Sequence, residues 1–159
     1  MRSLYINQSP VYFRKYLGET QSVDKWGNRT GEPVASYDDV QECMLTVAPN
    51  KTQESVFMFG TLTDYDKPAS TSDTSIELDE NSIVWLNLGY VFDHKTTATY
   101  SVGDLCIYDG EIYRCITATP AEEFDADKWA KVPHNAICKK RAPWKNSIAF
   151  ALKDVDVSD

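Results

Sequence analysis

The stretch Tyr100-Ser-Val-Gly103-Asp104-Leu105-Cys106-Ile107-Tyr108-Asp109-Gly110-Glu111-Ile112-Tyr113-Arg114-Cys115-Ile116-Thr117 decides how the rest of the chain is divided. Leu105–Tyr108 and Ile112–Thr117 are strand-like runs on either side of Asp109-Gly110. A two-residue Asp-Gly between such runs signals a tight hairpin, because a type I′ turn needs positive φ at both central positions. Tyr100, Tyr113 and Trp129 are placed to form a small aromatic core. Some 30 residues with few aliphatics are too few to fold confidently alone. The reading is therefore a guest module of residues 96–133, set into a host framework of 1–95 plus 134–159.

Short strands separated by turn residues dominate the host. Tyr5–Ile6 and Val11–Leu17 read as a hairpin turning at Pro10, with Gly18-Glu19-Thr20 as the next turn. Val11, Phe13 and Lys15 alternate with Tyr12, Arg14 and Tyr16, as on a strand with two unlike faces. Val23–Glu32 is dense in turn residues. Val40–Val47 is a strand, and Pro49-Asn50-Lys51-Thr52-Gln53-Glu54-Ser55 is polar without periodicity. Val56–Gly60 is a short helix or an extended loop. Tyr65–Thr71 reads as an edge strand, because Pro68 has no N–H for a ladder. Ile83–Leu86, Asn135–Lys139 and Ser147–Val157 follow as strands. The expected fold is all-β: a small β-barrel or sandwich framework carrying a small inserted β-hairpin module.

The chain has 159 residues, a net charge of −8 and a pI of about 4.7. That balance argues against gripping nucleic acid, which relies on Lys and Arg displacing counterions. It is compatible with an acidic wall past which DNA slides. Lys139-Lys140-Arg141, a short basic cluster, reads as a solvated turn or a protein contact. There is no apolar run near the roughly 18 residues of a membrane span, and Met1–Pro10 lacks a signal-peptide segment. The chain is expected to be cytoplasmic when made.

Cys43, Cys106, Cys115 and Cys138 lack the close spacing of a zinc site and read as buried thiols. His94 and His134 flank the module, and with Asp93 they form a conceivable metal set. Solvated or capping roles are the plainer reading, so no metal and no cofactor are expected. Glu122-Glu123-Phe124-Asp125-Ala126-Asp127 reads as an exposed acidic loop rather than a pair of glycosidase carboxylates. No Gly-rich phosphate loop or nucleophile elbow occurs. The expectation is a protein that is not an enzyme.

The module's Tyr100, Gly103-Asp104, Gly110, Tyr113 and Trp129 resemble the small chitin-binding type of carbohydrate-binding module. The resemblance implies a glycan partner, with Tyr108, Tyr113 and Trp129 as the sugar-binding residues. Where those modules carry exposed tryptophans, this chain has Ile116-Thr117-Ala118-Thr119.

The framework resembles the head-closure, or stopper, proteins in the neck of long-tailed bacteriophages. The matching pieces are Val11–Tyr16, Asp24–Asn28 with Thr30-Gly31-Glu32, Val47-Ala48-Pro49, Phe59-Gly60 and Tyr65-Asp66-Lys67. Asp79–Trp85 and Asn146–Leu152 complete them. The resemblance implies a homo-oligomeric ring in the virion, between the portal or adaptor protein and the tail completion or tail tube protein. Phage DNA would pass through it. The gating loop at the channel would be Pro49, Asn50, Lys51, Thr52, Gln53, Glu54, Ser55, Val56 and Phe57. Asn50-Lys51 stands where relatives often carry Arg-Gly. The guest module is expected to project outward from the ring as a decoration or to pack against a neighbouring protein in the neck, and to be removable without unfolding the host.

Overall fold

The computed structural model describes residues 8–60, 63–144 and 146–155. Its strands are β1 (Ser9–Val23), β2 (Arg29–Val47), β3 (Lys67–Thr71), β4 (Ile83–Trp85), β5 (Phe92–Asp93), β6 (Leu105–Tyr108), β7 (Glu111–Cys115), β8 (Trp129–Lys131), β9 (Ala136–Trp144) and β10 (Ser147–Asp154). One helix, α1 (Gln53–Phe59), and a 3-10 turn (Ala126–Lys128) complete the described elements. The all-β expectation holds.

Six strands pair in the cyclic order β1-β2-β3-β10-β9-β4, and β4 pairs back onto β1, so the sheet closes. Val11, Phe13, Leu45, Ala69, Val84, Cys138, Phe150 and Leu152 fill the barrel. Closure corrects the placing of Tyr65–Thr71 at an edge, because β3 lies between β2 and β10. Pro68 is tolerated there because β2 ends at Val47. Its carbonyl still accepts from Ala48 N at 2.9 Å, and its missing N–H falls where the ladder stops.

Strands β1, β4 and β10 are apolar on both faces, and each outer face has a cover. Ile148, Phe150 and Leu152 of β10 point inward, while Ala149 and Ala151 lie beneath Phe59 and Tyr65. Alanine leaves room for the α1 layer, which explains the imperfect alternation of that segment. On β1, Val11 and Phe13 point inward, while Tyr12 joins Ile83, Trp85, Val91 and Ile112 in a second core. Leu105, Ile107 and Val132 of the module pack against that core.

The guest module is therefore docked on the barrel. Trp85 Nε1 donates to Val132 O at 2.8 Å, and the Asn135 side chain bonds both Leu86 N and Leu86 O. Tyr12 Oη is bonded to the main chain of Val91. Strand β5 pairs in parallel with β6, so Phe92–Asp93 belongs to the module's four-stranded sheet rather than to the barrel. Asp109 and Gly110 have φ of 50° and 75°, the positive pair that the hairpin reading requires.

Strands β1 and β2 are much longer than the barrel needs. No residue from Leu17 to Ser36 is buried, so Gly18-Glu19-Thr20 is strand rather than turn and the pair continues as a free ribbon. Only Asp24–Asn28 turns: Asp24 accepts from Trp26 N and Asn28 N, both at 2.9 Å. Pro10 likewise sits within β1, paired with Met44. The Tyr5–Ile6 reading lies outside the described residues.

Candidate functional site

The polar segment after β2 is more ordered than its composition suggests. Thr52 and Ser55 form a reciprocal capping box: Thr52 Oγ1 accepts from Ser55 N at 3.0 Å, and Ser55 Oγ accepts from Thr52 N at 2.9 Å. This satisfies the orphan donors of a short helix start. Ser55 is fully buried and accepts from Tyr65 Oη at 2.9 Å, while Phe59 packs edge-on against the same ring. Lys51 Nζ lies 4.7 Å from the Tyr65 ring centre. Of the residues expected at a channel, Pro49–Thr52 form an exposed lead-in, and Gln53, Glu54, Ser55, Val56 and Phe57 are helical. Ser55 anchors the segment inward, and Phe57 is 81% exposed. The signal that would have found the helix is Thr52-x-x-Ser55 ahead of Val56 and Phe59, with Ser in the place of the usual Glu or Gln.

In the module, the aromatic rings converge as expected, around a member that the sequence reading missed. Phe124 stacks on Tyr108 at 4.0 Å and meets Tyr113 at 4.9 Å and Trp129 at 5.8 Å. Its place in an acidic run disguised it. That run is also structural: Glu122 pairs with Lys128 at 2.6 Å, and Asp125 caps the 3-10 turn through Asp127 N.

Trp129 is 5% exposed and sits with Cys106 and Cys115, so it serves as module core and offers no open face. Tyr113 is half-buried, with Oη on Glu111. Tyr108 is the accessible ring of the three, at 43%, and Phe92 on the adjoining strand is 68% exposed.

The two histidines have separate roles. His94 stacks on Tyr100 at 5.2 Å within the aromatic cluster, whereas His134 lies edge-on to Trp85 at 6.3 Å. Burial lowers the His134 pKa. Among the described residues, no group of three or more His, Cys, Asp or Glu is placed to hold a metal ion. All four cysteines are buried free thiols, and burial pushes Cys43, Cys106 and Cys138 up to about 12.

Charge gathers at the seam between barrel and module. The Arg14 guanidinium pairs with Glu111 at 3.1 Å and donates to Asp38 O at 2.8 Å, and Lys131 reaches the other Glu111 oxygen at 2.8 Å. Burial alone would raise the Glu111 pKa, but the Lys131 hydrogen bond and charge, with the charge of Arg14, hold it below the usual range. Beside this triad the Gly110 carbonyl accepts from Val40 N at 3.0 Å. A Cβ on Gly110 would collide with the Asp39 carboxylate. The basic cluster Lys139-Lys140-Arg141 lies within β9 rather than in a turn, and Arg141 donates to Ile76 O and Leu78 O.

Among the described residues, no helix is long and apolar enough to cross a membrane. No protein-family model, curated protein or solved structure matches this chain.

Proposed function

We propose that the chain is a building block of a phage neck, forming a ring that joins head to tail and narrows the DNA channel. The observation that carries this reading is the excursion between β2 and β3. It leaves a rigid closed barrel, exposes Pro49–Gln53 and Phe57, and rests on the barrel through Phe59 and Tyr65, to which Ser55 is bonded. A gating segment needs a stiff support and a small anchored area, so that it can change position at modest cost. The net charge of −8 suits a conduit wall that DNA must not adhere to. Portal or adaptor protein on one side, and tail completion or tube protein on the other, are the partners of this reading.

The test is mass measurement of the purified chain, alone and with portal–adaptor assemblies from the phage that encodes it. A discrete ring that co-elutes with those assemblies is the expected result. A chain that stays apart from them at all concentrations overturns the reading.

A second reading rests on the stacked Tyr108–Phe124 pair, whose outer ring is open to solvent. Aromatic faces of this kind suit the apolar faces of sugar rings. A glycan array separates the two readings: binding that is lost in Tyr108→Ala favours the second.

A further inference from the structure

The free ribbon formed by Leu17–Val23 and Arg29–Ser36 is the largest feature that the gating reading leaves unused. At about 3.3 Å per residue, it extends roughly 20 Å past the barrel. A two-stranded ribbon with both faces in water is marginal by itself. This one nevertheless carries Leu17, Val23, Trp26 and Val34 at exposures of 57% to 74%. Three register shifts along β1 (Arg14/Tyr16, Tyr16/Gly18 and Thr20/Ser22) interrupt its ladder, a device that discourages indiscriminate edge pairing. The tip is therefore better suited to docking by side chains than by strand addition.

The tip also differs in charge from the rest of the molecule. Between Asp24 and Arg29 stand two cations, Lys25 and Arg29, against the single carboxylate of Asp24. That carboxylate is turned inward onto the amides of Trp26 and Asn28. Lys25 Nζ lies 4.4 Å from the Trp26 ring centre, so indole and ammonium form one cationic–aromatic knob.

A complementary surface lies in the barrel wall. Strands β2 and β3 pair only through Thr46–Ser70 and Val47–Ala69. Beyond those pairs the strands part, and two adjoining hollows of about 540 and 260 Å³ open between Gln41–Met44 and Thr71–Glu77. Their linings include Glu42, Asp73 and Glu77. Asp73 is held ionised below the usual carboxylate range by hydrogen bonds from Ser75.

The knob cannot reach its own hollow. Arg29 and Glu42 lie on the same strand, 13 residues and therefore about 40 Å apart. We propose that the Lys25-Trp26-Arg29 tip of one copy docks in the Glu42–Asp73–Glu77 hollow of a second copy of this chain. Two different patches then meet, which makes the contact head-to-tail, the kind that generates a ring when its rotation closes. Copies that each carry −8 repel one another, and an opposite-sign contact offsets that repulsion locally. This deepens the ring reading, resting on it for the choice of a second copy as the occupant.

Sedimentation of the full chain over a range of concentrations tests the contact. The wild type should self-associate, more weakly as salt is raised. Lys25→Glu with Arg29→Glu should weaken association at least tenfold, and adding Glu77→Lys with Asp73→Lys should recover much of the loss. Near-ultraviolet circular dichroism verifies that each variant is folded. As a check independent of charge, Trp26→Cys and Glu77→Cys single variants, mixed under oxidation, should give a disulfide between copies bearing different substitutions. An oligomer that is indifferent to the Lys25/Arg29 reversal, and gives no mixed disulfide, overturns this contact while the ring stands. A wild-type chain that is monomeric throughout overturns the contact as well, and the neck reading is then judged separately by binding to portal–adaptor assemblies.

Discussion

Replacing Ile112 with alanine should destabilise barrel and module as one unit. Ile112 is 1% exposed and packs with Tyr12, Ile83, Trp85 and Val91, so its side chain bridges β7 and the outer face of β1 and β4. Truncation removes three buried carbons and leaves a void walled by two aromatic rings, which relax poorly. Such losses cost about 2–5 kcal/mol, and the rigid setting places this one at about 3 kcal/mol. With a urea dependence of about 2 kcal/mol/M for a chain of this size, the unfolding midpoint should fall by about 1.5 M. The assay is urea unfolding followed by hydrogen exchange at Val84 in the barrel and Cys115 in the module. Both sites should lose protection together, in a single transition. If Cys115 loses protection while Val84 keeps its wild-type midpoint, the shared core is not energetically shared and the docking account fails. The same logic reverses the expectation from sequence for deletion of residues 96–133. Without the module, Tyr12, Ile83 and Trp85 face water, and the shortened chain should be strongly destabilised.

Other consequences of the geometry are open to direct measurement. Gly110→Ala meets both a φ of 75° and the Asp39 carboxylate, whereas Gly31→Ala meets a similar φ in open space. The first should therefore cost about 1–3 kcal/mol in thermal unfolding, and visibly more than the second. Glu111 has a depressed pKa, so its contribution to stability is complete above the ordinary glutamate range of about 4.3 and is lost as pH falls through its lower folded value. Glu111→Gln should flatten that acid limb, seen by comparing melting temperatures between about pH 6 and pH 3. Thr52→Ala removes the capping acceptor of α1, at a cost of about 1 kcal/mol. Limited proteolysis should then cut faster within residues 49–57, giving two pieces that stay associated through the barrel.

Local chemistry and tertiary context left different marks on the chain. Asp109-Gly110 specified its turn unaided, because few residues accept positive φ in succession. Alternation along Val11–Phe13 and the apolar run at Ile83 announced strands, and the polarity pattern announced an all-β protein. A convergence of Tyr100, Tyr113 and Trp129 was also legible, since few other large side chains in that segment can fill a core. Which faces were covered was not legible. Tyr12 reads as a surface residue of a two-faced strand until the module is seen lying on it. Likewise Ala149 and Ala151 read as broken alternation until α1 is laid across them.

What the sequence determined by itself was fixed within a few residues: the Asp109-Gly110 turn and several of the strand runs, whereas Gly18-Glu19-Thr20 and Pro10 read as turns and are strand. Tertiary structure alone decided the barrel's closure, the placing of Pro68 inside the sheet and the length of the exposed ribbon. Each of these depends on pairing between residues tens of positions apart. The free energy of such pairing comes from surfaces that meet only in three dimensions, so no local pattern encodes it.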